Sequence, residues 1–335
     1  MRLSWRAMLD QSIHSNLLVG RGERHQPGVY FGLDEDAYHA DPSLGSGDVR
    51  RLRNVPYDWW WHSRNNPFRP PADKKPEKQG VDRGDALTIG SAMHLFVLQG
   101  REAFDRKFVC RPHDVQRLTE KTAARIAPQG QKILWEDDYY RIMISGSSLR
   151  NNPAMQNAFA NGEPEVSVFW IREFEGRLLP MKARFDYLKP RAVPDLKSIR
   201  NSRKIEFVEA CRRAIGERRY DMQAAHYLEA RRKLPDLINI GAVYGDYDAG
   251  LLQRVHLAND YAFVLIFFQA DDAPLSWGCI LSPENPHIET ARAHINQALS
   301  NYVMCAEAFG FDEPWLISNS LQELSEGDLP PWAWR

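Results

Sequence analysis

Cysteine is scarce in this 335-residue chain. The four cysteines are widely separated and form no C-x-x-C pair; they are Cys110, Cys211, Cys279 and Cys305. This spacing excludes the usual sequence patterns of zinc sites, iron–sulfur clusters and the disulfide frameworks of small secreted domains. Reduced thiols in a cytoplasmic protein are the simplest interpretation.

Long apolar runs and an excess of basic residues are also missing. The longest apolar run, residues 262–268, is far too short to span a bilayer, and residues 1–20 lack the apolar segment of a signal peptide. The formal net charge is −1, so a nucleic-acid-binding surface must be a local patch. We therefore expect a soluble, intracellular protein that makes no membrane contact.

The composition is that of a large globular domain. Hydrophobic residues make up 43% of the chain and charged residues 26%, which is ordinary for a folded soluble protein. Residues 1–26 mix polar and apolar side chains without a clear period, whereas the pattern becomes regular from Pro27 onward. We predict an N-terminal extension over residues 1–26 and one folded domain over residues 27–335.

The segment 181–198 carries the chemistry. Asp186 is followed nine residues later by Asp195, which stands two residues before Lys197. Because alternate residues of a strand point to the same face, Asp195 and Lys197 should project together, with Leu196 turned into the core. The proline-containing stretch 189–194 predicts a turn, so two antiparallel strands would bring both carboxylates and the ammonium to one point.

Such a cluster suits phosphodiester cleavage. Carboxylates supply the oxygen ligands that Mg²⁺ prefers, and a bound metal ion lowers the pKa of water and offsets charge on the phosphate. A lysine beside the metal can orient or deprotonate that water or stabilise the transition state. The alternative is a surface hairpin with ordinary charges, because an acid followed by D-x-K often occurs by chance.

Neighbouring segments add candidates to this cluster. Glu165 begins a strand with apolar residues on both faces, and the turn at residues 174–177 leads into the Asp186 strand, so the three strands should form a meander. Gln223 and Tyr227 are four apart and share one face of a predicted helix. Residues 200–233 contain ten Lys or Arg against five Asp or Glu, which predicts either a DNA-binding patch or a solvated helical face.

Two further features are ambiguous from pattern alone. His94 lies on a predicted helix over residues 85–99, where a lone histidine is more often a core residue than a metal ligand. The run Trp59–Trp61 could stack on bases, although packing of an N-terminal helix against the core is the favoured interpretation.

Taken in order, several segments resemble one family. They are YHADPSLGSGDVRRL, GSAMHLFVLQGREAF with His94, GEPEVSVFW with Glu165, KARFDYL with Asp186, PDLKS with Asp195 and Lys197, YDMQAAHYLEA with Gln223 and Tyr227, and the terminal LPPWAW. The chain from about Pro27 to Arg335 is similar to the PD-(D/E)xK nuclease-like domain of RecE-type exodeoxyribonuclease VIII, a relative of lambda exonuclease and the RecB nuclease domain. The spacing from Asp186 to Asp195 is slightly shorter than in that family, and residues 1–26 have no counterpart.

The resemblance implies a fold, a reaction and partners. The fold would be α/β, with a central mixed β-sheet flanked by helices. The activity would be a Mg²⁺-dependent exonuclease, with Mn²⁺ able to substitute, that resects double-stranded DNA ends and leaves a single-stranded 3′ tail. The implied partners are a phage-type single-strand annealing protein and further copies of the chain in a ring around DNA.

The resemblance also implies roles for individual residues. His94, Asp186, Asp195 and the backbone carbonyl of Leu196 would hold the metal, and Glu165 would lie in or beside its shell. Lys197 would activate the attacking water, while Gln223 and Tyr227 would line the site.

Two other functions remain open at this point. An endonuclease could use the same fold and the same residues, because end recognition depends on loops and assembly. A non-catalytic DNA-binding module is disfavoured, since such a module has no need for a costly cluster of like charges.

Overall fold

A computed structural model describes residues 16–69, 86–115, 117–155, 157–269 and 273–316, together with residues 320, 321, 323–325, 327–329 and 332. The elements of this described part, in chain order, are β1 (Gly28–Tyr30), α1 (Glu35–Ala40), α2 (Ser46–Asn54), α3 (Pro56–His62), α4 (Ala86–Gln99), α5 (Arg101–Lys107), β2 (Phe108–Cys110), α6 (Glu120–Ile126), β3 (Lys132–Leu134), α7 (Glu136–Asn151), β4 (Glu163–Phe174), β5 (Arg177–Leu188), β6 (Ala192–Ile199), α8 (Phe207–Glu217), α9 (Tyr220–Asn239), β7 (Val243–Tyr244), α10 (Ala249–Leu257), β8 (Ala262–Gln269), β9 (Ser276–Leu281) and α11 (Pro286–Phe309).

The first sheet has the strand order β5-β4-β1-β7. Strands β4 and β5 form the predicted antiparallel hairpin, and the left-handed φ angles of Glu175 (49°) and Gly176 (72°) are those of a tight hairpin turn. Both faces of β4 are buried: Val166 and Val168 lie on one face, and Phe169 lies on the other. Strand β1 pairs antiparallel with β4 and parallel with β7, so the sheet is mixed, as expected.

Strand β6 belongs to a second sheet, and the predicted three-strand meander is therefore wrong at its third strand. Among the described strands, β6 pairs in parallel with β8, which pairs antiparallel with β9. The edge of β6 that faces β5 has no N–H at Pro194, and the N–H of Leu196 donates to the Asp186 side chain at 2.7 Å. With these two donors missing from that edge, a regular β5–β6 ladder cannot form.

Helices cover both faces of the second sheet. Leu196, Ile266 and Phe268 point into a smaller core with α4, α5 and α7. Val193 and Phe267, on the opposite face, join a larger core with α2, α9 and α11. This arrangement confirms an α/β fold with mixed sheets flanked by helices.

Several predicted boundaries need correction. The sequence pattern predicts a helix over residues 201–213, but α8 begins only at Phe207. The side-chain amide of Asn201 donates through its nitrogen to the Ile205 carbonyl and accepts the Ile205 N–H through its oxygen, which holds these residues in a turn. The sequence predicts loops and helical stretches over residues 101–160 and strands over residues 238–282. The structure has a two-stranded parallel sheet of β2 and β3 in the first region and the helix α10 in the second.

The run Trp59–Trp61 packs mainly into the core, which is the interpretation favoured from the sequence. Trp59 and Trp60 are buried, whereas Trp61 is 49% exposed. The four cysteines are free. None of the helices in the described part is both long enough and apolar enough to cross a membrane.

The N-terminal extension is described only in part. Residues 1–15 lie outside the described residues. Within 16–26, the Leu18 N–H donates to the Leu178 carbonyl at 3.0 Å, and His25 Nδ1 lies 2.9 Å from Asp41 Oδ2. The division at residue 26 stays a prediction.

Candidate functional site

Asp186 and Asp195, the two acids of the segment 181–198, lie where the two sheets adjoin. Asp186 lies near the end of β5, and its Oδ2 accepts the Leu196 N–H of β6 at 2.7 Å. Asp195, one residue earlier on β6, has a fully buried side chain, whereas that of Asp186 is 17% exposed. The side chain of one acid thus bonds the backbone beside the other.

Lys197 and Gln223 hold Asp195 from two elements. The Lys197 ammonium forms an ion pair with Asp195 Oδ2, and Gln223 Nε2 of α9 donates to Oδ1 at 2.9 Å. Leu196 is fully buried in the smaller core behind them. The prediction that Asp195 and Lys197 share one face, with Leu196 turned inward, is consistent with this geometry.

His94 reaches the same point from α4. Its Nδ1 lies 3.7 Å from Asp186 Oδ2, and the ring also has a hydrogen-bonding contact with the Leu196 backbone. The side chain is 31% exposed and lines a cavity together with Asp186. His94 thus lies beside Asp186 at the cavity, and its role as a metal ligand stays a prediction.

Glu165 lies across from Asp186 in an interrupted part of the β4–β5 ladder. Pro164 pairs with Tyr187 and Val166 with Phe185, and Glu165 between them has a left-handed φ of 57°. A non-glycine residue in this conformation stores strain, a feature that clusters at functional sites. The Glu165 carboxylate accepts from Arg184 Nε at 2.7 Å, so its charge is partly offset beside the cavity.

Tyr227 lines the site from α9. Its ring packs against Phe185 at 5.5 Å and Phe263 at 5.7 Å between centroids, and the side chain lines the cavity that contains His94 and Asp186. Gln223 and Tyr227 thus lie at the same site from one helical face, as their spacing predicts.

Burial sets the electrostatics of the site. Burial raises the pKa of Asp186 to about 6, where Lys197 opposes and Glu165 adds to the rise. Burial likewise raises the pKa of Asp195 to about 6, against the lowering effect of Lys197. Burial lowers the pKa of Lys197, but the charges of Asp195 and Asp186 outweigh it, so the pKa lies above its usual value. Burial, followed by the charge of Lys197, lowers the pKa of His94, which favours the neutral imidazole.

Two cavities open onto these residues. One, of about 590 Å³, contains His94, Glu165, Asp186 and Tyr227, and its basic lining is Arg21, Arg50, Arg51, Arg64, Arg69, Lys182 and Arg184. The other, of about 560 Å³, is lined by Lys197 and Gln223 together with Ser46, Arg50, Glu217, Arg218, Arg219 and Tyr220.

Most of these arginines were missed by sequence reasoning. Four of them, Arg50, Arg51, Arg64 and Arg69, come from the segment 46–69, and Arg21 precedes it. Arg218 and Arg219, which reach the second cavity, belong to the basic stretch 200–233. The signal available in the sequence was a set of scattered arginines, which identifies no surface until the chain is folded.

The donor types fit a divalent cation. Two carboxylates, an imidazole and the Leu196 carbonyl suit Mg²⁺ or Mn²⁺ chemically. Asp195 Oδ2 is buried and pairs with the Lys197 ammonium. In the conformation described here, no three His, Cys, Asp or Glu side chains among the described residues are spaced to hold one ion. The metal role of these residues stays a prediction.

The chain matches the family described as "PDDEXK-like domain of unknown function (DUF3799)" over residues 68–241. A search of curated proteins finds no match.

Two crystal structures show distant similarity. A candidate exonuclease from Eubacterium rectale has 12% identity and a TM-score of 0.41, over 90% of this chain and 86% of that one. The protein SSO0001 has 14% identity and a TM-score of 0.25, over 50% of this chain and 58% of that one. At these TM-scores, neither similarity bears on the site.

The family match covers more than half of the chain and includes every residue of the site from His94 to Tyr227. The chain therefore belongs to the PDDEXK-like family DUF3799, within the PD-(D/E)xK nuclease superfamily.

Proposed function

We propose that this protein is a Mg²⁺-dependent exonuclease that hydrolyses double-stranded DNA from its ends. The observation that supports the proposal is the pair of buried acids beside a lysine: Asp186 accepts the N–H of Leu196, the residue after Asp195, and Lys197 pairs with Asp195. His94 of α4 lies 3.7 Å from Asp186. Bringing buried carboxylates together raises their pKa and is costly, which is typical of a catalytic site.

Each residue has a role in the proposed reaction. His94, Asp186, Asp195 and the Leu196 carbonyl would hold the cation, and Glu165 would stand beside them. When bound, a divalent cation supplies Lewis-acid stabilisation of phosphate charge and a more acidic water. Lys197 directs its ammonium to the reacting centre, where it orients water or stabilises developing negative charge. Gln223 fixes the Asp195 carboxylate through its 2.9 Å hydrogen bond.

The arginines around both cavities support DNA as the substrate. Guanidinium groups bind phosphate oxygens in a bidentate manner, so the arginines of this lining, which stand beside the acids Glu35, Asp41 and Asp48, can contact a polyanion although the net charge is −1. The family resemblance adds a 3′ single-stranded tail as product, use of Mn²⁺ in place of Mg²⁺, an annealing protein as partner and a ring-like homo-oligomer. The scattered cysteines add a cytoplasmic location.

The proposal is tested with linear and circular duplex DNA. Wild type and Lys197→Ala are each incubated with Mg²⁺ or with EDTA, and Lys121→Ala, an exposed lysine of α6, serves as the matched control. We expect wild type and Lys121→Ala to degrade linear but not circular DNA, and to do so with Mg²⁺ but not with EDTA. We expect Lys197→Ala to be at least about a hundredfold slower, because it loses a contact to the transition state.

The other outcomes separate the alternatives. Nicking or linearisation of circles would identify an endonuclease on the same fold. Unchanged DNA in every lane, with DNA binding retained, would identify a binding module and overturn the nuclease.

A further inference from the structure

Tyr220 lies under the lysine of the site. It is the first residue of α9, and the residue is 7% exposed. The Lys197 Nζ stands 5.1 Å from the centre of the Tyr220 ring, within the range of a cation–π contact. Tyr220 also lines the second cavity together with Lys197 and Gln223.

The backbone before Tyr220 is held in a strained conformation. Arg219 has φ 54° and ψ 47°, a left-handed conformation that non-glycine residues avoid. Its guanidinium makes two hydrogen bonds to Asp221, at 3.0 and 2.8 Å, and lies 2.6 Å from His294 Nδ1 of α11. These contacts fix the point at which α9 begins, and hence the place of the Tyr220 ring.

Two residues of α9 therefore enclose one ion pair. Gln223 bonds the Asp195 carboxylate, and Tyr220, three residues earlier on the same face, presents its ring to the Lys197 ammonium. A lysine side chain has several rotatable bonds, and the ion pair alone holds only its end. Contact of the ammonium with a ring face removes much of that freedom.

We infer that Tyr220 is a positioning residue, whose ring face holds the Lys197 ammonium beside Asp195 and directed into the second cavity. The inference rests on the proposed nuclease function, for which Lys197 must be oriented at the reacting centre. It assigns the ring, and not the hydroxyl, as the group that matters.

Three variants test which part of Tyr220 acts. Tyr220→Phe keeps the ring, while Tyr220→Leu and Tyr220→Met keep an apolar side chain without one. We expect Tyr220→Phe to retain kcat within about threefold, and the other two to lose about tenfold in kcat with an unchanged KM for DNA. Tyr139→Leu removes a ring that lies under Arg101 outside the site, and it should leave kcat unchanged.

A second readout needs neither DNA nor metal. In protein labelled with ¹³C at lysine Cε, the Lys197 resonance should be shifted upfield by the ring in wild type and Tyr220→Phe. In Tyr220→Leu and Tyr220→Met it should return to the position of an ordinary lysine. Lys197→Arg identifies the resonance, and thermal unfolding shows that each variant is folded.

The two readouts separate this inference from the proposed function. Equal losses of kcat in Tyr220→Phe and Tyr220→Leu would overturn the positioning role. So would a Lys197 resonance that does not respond to removal of the ring. A wild-type protein without nuclease activity, but with the ring-dependent shift, would contradict the proposed function and leave the contact established.

Discussion

At the scale of single residues, the site concentrates carboxylates that are hard to ionise. The pKa of Asp186 and of Asp195 is raised to about 6, mainly by burial. In the unfolded chain the same groups titrate near 4. Between about pH 4 and pH 6 the folded state therefore binds more protons than the unfolded state, so the contribution of these groups to stability falls as pH rises.

Asp186→Asn tests this sign in metal-free protein. We expect the free energy of unfolding of wild type, minus that of the variant, to decrease between pH 4.5 and pH 6.5, because the variant has no group to ionise at this position. Urea unfolding in EDTA at several pH values measures the difference. A difference that is constant, or that increases with pH, would show that the Asp186 pKa is not raised by folding.

Single residues also show how far sequence reasoning reaches into the site. The period of a strand was enough to place Asp195 and Lys197 together, because both belong to β6. The period of α4 could not identify His94, since its partners Asp186 and Leu196 lie about a hundred residues away in sequence. The left-handed backbone conformation of Glu165 could not be predicted from the sequence, because glutamate has no preference for a positive φ.

At the scale of elements, α2 is built as a support for the site. The Asp48 carboxylate accepts the N–H of Gly45 at 2.9 Å, which caps the helix, and also the indole N–H of Trp59 in α3 at 2.9 Å. One side chain thus caps the start of α2 and fixes α3 beside it, and α2 carries Ser46 and Arg50 to the cavities.

Asp48→Ala should reduce stability by about 1–3 kcal/mol, since it removes a cap and leaves the Trp59 indole without its acceptor. Denaturant unfolding measures the loss. The control is Glu102→Ala, which removes an exposed acid from the first turn of α5 and should cost less than about 1 kcal/mol. Equal effects of the two substitutions would mean that Asp48 acts through its charge alone.

Elements also mark the limit of prediction for the fold. Local signals gave the β4–β5 hairpin, because its turn and its alternation lie within one short stretch. They failed for β6, whose partner β8 starts about seventy residues later and is chosen by burial on both faces. They also failed at the start of α8, where the side chain of Asn201 competes with helix formation.

At the scale of the whole molecule, the net charge of the chain does not reveal the local charge around its cavities. The net charge is −1, yet arginines from the segment 46–69 and from the start of α9 line the two cavities. Binding to DNA should therefore depend on this lining and weaken with salt, because each phosphate that is neutralised releases bound counterions.

Arg64→Gln with Arg69→Gln should weaken binding to duplex DNA and reduce the slope of log K against log salt by about 2, roughly one unit for each lost phosphate contact. The measurement uses fluorescence anisotropy in the Lys197→Ala background, so that the DNA stays intact. Arg125→Gln, an exposed arginine of α6, is the control and should leave the slope unchanged. If the slope of log K against log salt is unaltered in the double variant, DNA does not bind at Arg64 and Arg69.

The central claim is that His94, Asp186 and Asp195 share one cation beside Lys197, and Mn²⁺ binding measured by electron paramagnetic resonance tests it most directly. The account predicts that wild type binds Mn²⁺ and that His94→Ala, Asp186→Asn and Asp195→Asn each weaken binding at least tenfold. In protein labelled with ¹⁵N-histidine, the Mn²⁺ signal should show a nitrogen coupling that His94→Ala abolishes. Equal Mn²⁺ affinity in wild type and all three variants would contradict it.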